Sequence, residues 1–337
     1  MTQILLLIGL TIISTTIVWK GSEILEETSE KLSIYYDLPN IVQGAMIAAI
    51  GSSFPELSST VLSTILHNQF ELGISVIVGS AIFNILVIPG ISGIYSKESL
   101  ESNKELVYKE AQFYMLAVAT LLLTFSFSVI YNPAPGKELL GQLNRPLAFL
   151  PVGMYLIYVF IQYQDSMDYE SDRDKSKINP KKSWILLAVS LFLIVVGVEG
   201  LLRAAIGLGE LLNTPSFIWG LTVIAAATSI SDTFISVKSA KEGNAITSLA
   251  NALGSNTFDL LVAIPIGVLI AGEAIVNFGR ASPLFGVLIG ATLILFVITR
   301  TKLEITKKES YLLLLIYVGF VVWMVLETIE LVSLIGL

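Results

Sequence analysis

Long apolar runs alternate with short polar connections along the whole chain. The runs include 1–19, 72–96, 111–130, 146–163, 211–231 and 282–299, and none contains a basic residue at its centre. An uncharged apolar run of about 18 residues or more reads as a membrane-spanning helix, whereas a buried helix of a soluble core is shorter and amphipathic. In hydrocarbon the backbone must satisfy its own hydrogen bonds, which leaves helices or closed barrels. Barrel strands alternate apolar and polar positions, and these runs do not. The pattern predicts an all-α integral membrane protein of about ten transmembrane helices, at 2–22, 39–66, 71–96, 107–130, 146–164, 183–203, 211–238, 244–271, 282–300 and 311–333. The first run lacks the basic start of a secretory signal and is too long for one, so it is read as the first helix.

The polar stretch 164–182 divides the chain into a first transmembrane repeat (1–163), a linker in water (164–182) and a second repeat (183–337). Of the 20 lysines and arginines, all but Lys137, Arg145, Arg203 and Arg280 belong to the odd-numbered connections. The positive-inside rule then places those connections and the linker in the cytoplasm, and both termini outside the cell membrane.

The halves match each other. Pro39 to Gly44 aligns with Pro215 to Gly220 at an offset of 176, and Ala49-Ile-Gly-Ser-Ser-Phe-Pro-Glu56 aligns with Ala225-Ala-Ala-Thr-Ser-Ile-Ser-Asp232 at the same offset. Gly79-Ser-Ala-Ile-Phe-Asn84 aligns with Gly254-Ser-Asn-Thr-Phe-Asp259 at 175. Each half holds five spans, an odd number, so the second half starts on the opposite side of the membrane. Two inverted-topology five-helix repeats are the sequence pattern of many secondary transporters.

Composition narrows the chemistry. There is no cysteine, which excludes disulfides and thiolate ligands, and a single histidine, His67, which argues against zinc sites and histidine relays. The net charge of −7 gives no support for nucleic-acid binding. No cofactor and no obligatory protein partner is implied; the expected surroundings are membrane lipid.

Glu56, Asp232 and Asp259 each lie deep in an apolar span, where an ionisable side chain costs roughly 2.5–3.5 kcal/mol on insertion scales. A buried structural network is one explanation; a cation that offsets the cost is the other. The surrounding residues favour the cation. Gly51-Ser52-Ser53-Phe54-Pro55 is a poor helix interior, because proline lacks the N–H and glycine adds freedom. The second span should break there and release carbonyls such as that of Ala49, and such backbone is tolerated at membrane depth where it lines an ion site. The second copy lacks that glycine and proline, so a milder break carried by Thr228, Ser229 and Ser231 is expected. Calcium takes about six to eight oxygens, carboxylates prominent among them, which Glu56 and Asp232 with hydroxyls, carbonyls and Asn84 can supply. Glu23 and Glu199, near the ends of the first and sixth spans, are read as interfacial. His67 is read as an exposed helix end, and Trp19, Trp184 and Trp323 as interfacial anchors.

These paired motifs resemble the two alpha repeats of sodium/calcium exchangers, in the calcium/cation antiporter superfamily. The resemblance covers 39–90 and 215–266, and the inverted ten-span layout fits the whole chain. It implies a non-enzymatic antiporter that exchanges Na+ for Ca2+ by alternating access. Glu56 and Asp232 would be the central carboxylates. Ser52, Ser53, Thr228 and Ser229 would surround them with the carbonyls of Ala49 and Ala225. Ser80, Asn84, Ser255 and Asp259 would join from the third and eighth spans. Two long helices, the first and sixth, would slide across the remaining bundle. The chain departs from the family pattern at Ser231, commonly proline, at Ala227, usually glycine, and at Ala81, usually asparagine. Phe258-Asp259 with Pro265 resembles the potassium-dependent branch, so K+ cotransport stays open. A proton/calcium antiporter is the nearest rival, although its Gly-Asn ahead of the glutamate is Gly51-Ser52-Ser53 here. An intramembrane aspartyl protease using Asp232 and Asp259 is a remote one: its Gly-x-Gly-Asp signature is absent, and it leaves Glu56 and Asn84 unexplained.

Overall fold

A computed structural model describes residues 2–36, 49–97, 99–104, 106–136, 139–165 and 178–334. In the first repeat α1 (Thr2–Tyr35) is followed by α2 (Ala49–Ser52), α3 (Phe54–Ile65) and α4 (Phe70–Tyr95). A strand β1 (Leu100–Glu101) precedes a π-helical turn, Leu106–Glu110, that runs into α5 (Ala111–Tyr131). Strand β2 (Leu140–Asn144) then leads to α6 (Arg145–Asp165). The second repeat opens with α7 (Pro180–Leu212). Its next span is α8 (Ser216–Trp219), a π turn Gly220–Ile224, α9 (Ala225–Thr228) and α10 (Ile230–Lys241). After it come α11 (Ala245–Phe258), a π turn Asp259–Ala263, and α12 (Ile264–Ala271). Strand β3 (Glu273–Asn277), α13 (Phe278–Arg300), β4 (Glu304–Ile305) and α14 (Lys307–Thr328) complete the chain. Among the described residues eight helices are long and apolar enough to cross a membrane, and the bent unit 216–241 makes a ninth. The expected span 39–66 begins at 39–48, outside the described residues, as does most of the 164–182 linker.

Several boundaries differ from the apolar runs for local reasons. The first span, expected to stop at residue 22, continues to Tyr35. Charge ends the apolar run but not the helix, because no glycine or proline follows Gly21 before Tyr35. The pairs Lys20–Glu23 (2.6 Å) and Glu27–Lys31 (2.5 Å) also support it at helical spacing. The sixth, expected at 183–203, starts at Pro180, where the Asn179 side chain accepts the Lys182 N–H, and ends at Asn213 with φ 53°. That left-handed cap and Pro215 delay the seventh span from 211 to Ser216. The tenth starts at Lys307 rather than 311, because Thr306 and Glu309 form a reciprocal capping box.

Two short antiparallel ribbons were not legible in the apolar pattern. β1 pairs with β4, and β2 with β3. β1 and β3 follow the third and eighth spans, and β2 and β4 follow the fourth and ninth. The inverted repeat therefore carries one ribbon onto the other, and each ribbon ties the two halves together.

α4 is the axis of the bundle: 89% of its apolar window is buried, against 11% for α1. It meets the second repeat at Gly79, where a Cβ would lie 2.1 Å from the Leu221 carbonyl oxygen and 2.7 Å from Ala225 Cβ. α1 and α7 pack along each other through small residues. A Cβ at Gly197 would sit 2.7 Å from Val18, and one at Gly200 would sit 2.2 Å from the Ser14 hydroxyl. Where lipid and side chain are equally apolar, such close backbone approach is a main source of helix association.

Candidate cation site

Both broken spans restart at matched serines. Ser53 (φ −92°, ψ 5°) separates α2 from α3, and Ser229 (φ −77°, ψ 1°) separates α9 from α10. At the first, Pro55 in the opening turn of α3 removes a donor. At the second no proline is present, yet the span bends by 42°. There Thr228 donates its hydroxyl to the Ala225 carbonyl (3.2 Å) and Ser231 to the Thr228 carbonyl (3.4 Å), and such back-bonding bends helices. Glu56 and Asp232 each occupy the first turn of the restarted helix, the end whose free N–H groups favour negative charge.

The restarts bring the motif residues together at the repeat interface. Ser80 donates to Glu56 Oε1 at 3.1 Å, and its hydroxyl shares a hydrogen bond with that of Ser229 at 2.7 Å. The hydroxyls of Ser52 and Ser255 are 2.7 Å apart, and Ser53 donates to the Ser255 carbonyl at 3.3 Å. Asn84 Nδ2 lies 3.5 Å from Asp232 Oδ2. Except for Ser80 to Glu56, every one of these contacts joins one repeat to the other. Glu56, Asp232 and Asp259 are each 1% exposed, and Asn84, Ser80, Thr228 and Ser229 are fully buried. Ala49 opens α2; the Ala225 carbonyl already accepts from Ser229 N–H and from Thr228.

Five buried oxygens here have no hydrogen to accept: Glu56 Oε2, Asp232 Oδ1, Asn84 Oδ1 and both carboxylate oxygens of Asp259. All five belong to polar residues that the sequence places at mid-membrane, and all are acceptors. None of the ion pairs among the described residues reaches them. Among the described residues no three carboxylate or histidine side chains converge closely enough to hold an ion alone, so a complete shell here must draw on hydroxyl, amide and carbonyl oxygens. Asp259 begins a π turn, close enough to Glu56 and Asp232 to feel both of their charges and with the Ser53 hydroxyl beside it.

Asn256 was missed at the sequence level although it lies inside the aligned run of α11. It is fully buried, accepts from Asn84 Nδ2 at 3.0 Å and donates to the Ala81 carbonyl at 3.0 Å. The available signal was an amide in a mid-membrane helix whose repeat counterpart is Ala81.

The peripheral residues differ in part from expectation. His67 is not an exposed helix end: its Nε2 lies 3.0 Å from Glu199 Oε2, and both side chains are 18% exposed. Glu199 also accepts from Arg203 at 2.6 Å, so it links α7 to the end of α3. Glu23 is exposed and pairs with Lys20. Trp184 is exposed and donates to the Tyr36 hydroxyl, Trp323 is half-buried against the core, and Trp19 stacks on Phe234 at 4.5 Å.

Two cavities approach from opposite ends of α4. One of about 590 Å³ lies between α1 and α10, lined by Trp19, Glu23, Glu26, Glu27, Glu30 and Lys238 among others, and it reaches Ser231, next to Asp232. The other, of about 770 Å³, lies at the Phe70 end and reaches Thr64, eight residues along α3 from Glu56. Lys241 packs over the Tyr95 ring, which fixes the first cavity at the other end of α4.

The family model for the sodium/calcium exchanger protein matches residues 6–164 and 182–326. The chain belongs to the sodium/calcium exchanger family. This is a family of transporters, not enzymes. The chain is 25% identical to the sodium/calcium exchanger MaX1 of Methanosarcina acetivorans over 335 residues, covering 90% of this chain and 94% of that one. Its fold is similar to that of the sodium-calcium exchanger NCX_Mj soaked with Na+ and Sr2+, with a TM-score of 0.64, 20% identity and coverage of 95% and 98%. It is also similar to that of the H+/Ca2+ exchanger CAX, with a TM-score of 0.72, 14% identity and coverage of 93% and 81%.

Proposed function

We propose that this exchanger moves calcium in one direction and sodium in the other through the Glu56–Asp232 site. The observation that carries the reading is the set of five buried acceptor oxygens with no donor. A buried acceptor left unpaired costs about 1–3 kcal/mol, more when charged, and a hard cation is what such oxygens collectively bind. Glu56 and Asp232 supply charge, Asn84 Oδ1 supplies a neutral ligand, and the hydroxyls of Ser52, Ser53, Ser80, Thr228, Ser229 and Ser255 complete the shell. Sodium, with a single charge, is served by subsets of the same oxygens. That sharing makes occupancy by the two ions mutually exclusive and so couples their movement. Asp259 adds a carboxylate that a potassium ion or further sodium would use.

The carboxylates are closed off while cavities approach from both ends, the arrangement of an intermediate in alternating access. In the packed α1–α7 pair, α1 borders the cavity beside Ser231, and α7 meets the chain just past α3 through Glu199 and His67. With the odd-numbered connections in the cytoplasm, the α1–α10 cavity is the cytoplasmic vestibule and the termini lie outside the cell membrane. In this cysteine-free chain, Ser171→Cys should resist impermeant thiol reagents added outside intact cells; ready labelling inverts the assignment.

The function is tested by diluting sodium-loaded proteoliposomes into sodium-free buffer with labelled calcium, with and without potassium. Calcium should accumulate, and should not when sodium is equal on both sides. Accumulation only with potassium present assigns cotransport; none under any of these conditions removes the reading.

A further inference from the structure

The Ala81 carbonyl is an acceptor only, so the atom of Asn256 that meets it at 3.0 Å must be the amide nitrogen. This fixes the rotation of the Asn256 amide and aims its Oδ1 at Asn84. Asn84 must in turn present Nδ2 to that oxygen, at 3.0 Å. The second proton of that nitrogen faces Asp232 Oδ2 at 3.5 Å. One end of the Asn84 amide is thereby committed, and the other end, Oδ1, is the buried oxygen with no donor. The orientation of Asn84 is set by a backbone carbonyl of its own helix, relayed through a side chain of the opposite repeat.

The repeat counterpart shows the same logic in reverse. Asp259 aligns with Asn84, and the residue that would relay to it is Ala81, which has no amide. Both oxygens of Asp259 are without a donor. The site thus has a clamped neutral half and an unclamped acidic half.

We propose that Asn256 is a positioning residue for cation binding: it holds the Asn84 side chain with its oxygen, not its nitrogen, toward the ion. This rests on the proposed function, because Asn84 is taken as a ligand. Without Asn256 the amide turns freely, and half of its rotations aim N–H groups at the cation. Outer partners of this kind typically change metal affinity about 10–100-fold.

The test measures calcium titrations of purified protein, by the calcium-dependent rise in melting temperature and by initial uptake rates, in wild type, Asn84→Ala, Asn256→Ala and the double variant. Asn256→Ala should raise the calcium KM about tenfold and leave the maximal rate within about twofold. The double variant should match Asn84→Ala, because Asn256 has nothing left to orient. Losses that multiply, or a wild-type calcium titration in Asn256→Ala, overturn the clamp. If Asn256→Ala does not fold, Asn256→Ser and Asn256→Thr, which keep a polar atom but cannot span both partners, take its place with the same expectations. A wild-type protein that neither binds nor moves calcium overturns the functional reading itself, so the two failures are distinguishable.

Discussion

Replacing Glu56 by glutamine should reduce sodium-driven calcium uptake to the level of protein-free vesicles, at least about 100-fold below wild type. The change keeps the shape of the side chain, and Ser80 can still donate to the remaining carbonyl oxygen, now 3.1 Å away. What changes is the other end. Glu56 Oε2 is an acceptor without a donor, and glutamine puts an N–H there. The site loses a charge and gains protons directed at the ion. A dehydrated divalent cation in a low-dielectric interior depends on that charge, since a lost charge-assisted contact there is worth several kcal/mol and each 1.4 kcal/mol is tenfold. Asp232→Asn should behave alike, whereas Asn84→Ala removes only a neutral oxygen and should impair transport more mildly. The check is uptake together with size-exclusion behaviour. A well-folded Glu56→Gln protein that exchanges at the wild-type rate puts the site elsewhere.

Gly79→Val should prevent the two repeats from docking. A Cβ there falls 2.1 Å from a backbone oxygen and 2.7 Å from Ala225, and neither is the tip of a flexible side chain that can swing away. Overpacking of ordinary cores costs typically about 1–3 kcal/mol, and a clash against backbone sits at or above the top of that range. The expected outcome is loss of monodisperse protein. In any fraction that folds, α4 is displaced and Ser80 moves away from both Glu56 and Ser229, so exchange is lost as well. Apart from its chain neighbours and its own helix backbone, its repeat counterpart Gly254 has no heavy atom of the described residues within 4 Å of where a Cβ would lie, so Gly254→Ala should retain both melting temperature and uptake. Equal behaviour of the two variants contradicts this packing.

Much of this architecture was legible because a bilayer enforces simple rules. Apolar length marked the spans, and an odd number of spans per half implied inversion. Mid-membrane Glu56, Asp232, Asn84 and Asp259 stood out because polar atoms there are expensive. The structure gathers these residues at the repeat interface and leaves one oxygen each of Glu56, Asp232 and Asn84, and both of Asp259, without a donor. What the sequence hid was set by geometry. α1 outran its apolar stretch because charged residues can continue a helix beyond the hydrocarbon. The bend at Ser229 did not need the proline that accompanies the break at Ser53, since hydroxyl groups returning to the backbone suffice. Pairing of β1 with β4 and of β2 with β3 depends on how the halves dock, and no local pattern encodes it. His67 met Glu199 across 132 positions of the chain. Asn256 was overlooked because its partners, Asn84 and the Ala81 carbonyl, come from the other repeat.

The proposed function is that sodium, through these oxygens, drives calcium. It is tested most directly by comparing two gradients in one batch of proteoliposomes. Initial calcium uptake is measured with an outward sodium gradient at equal pH, and with a pH gradient in the absence of sodium. Fast uptake is expected in the first case and background in the second. Uptake that follows the pH gradient and ignores sodium would make the protein a proton/calcium antiporter instead.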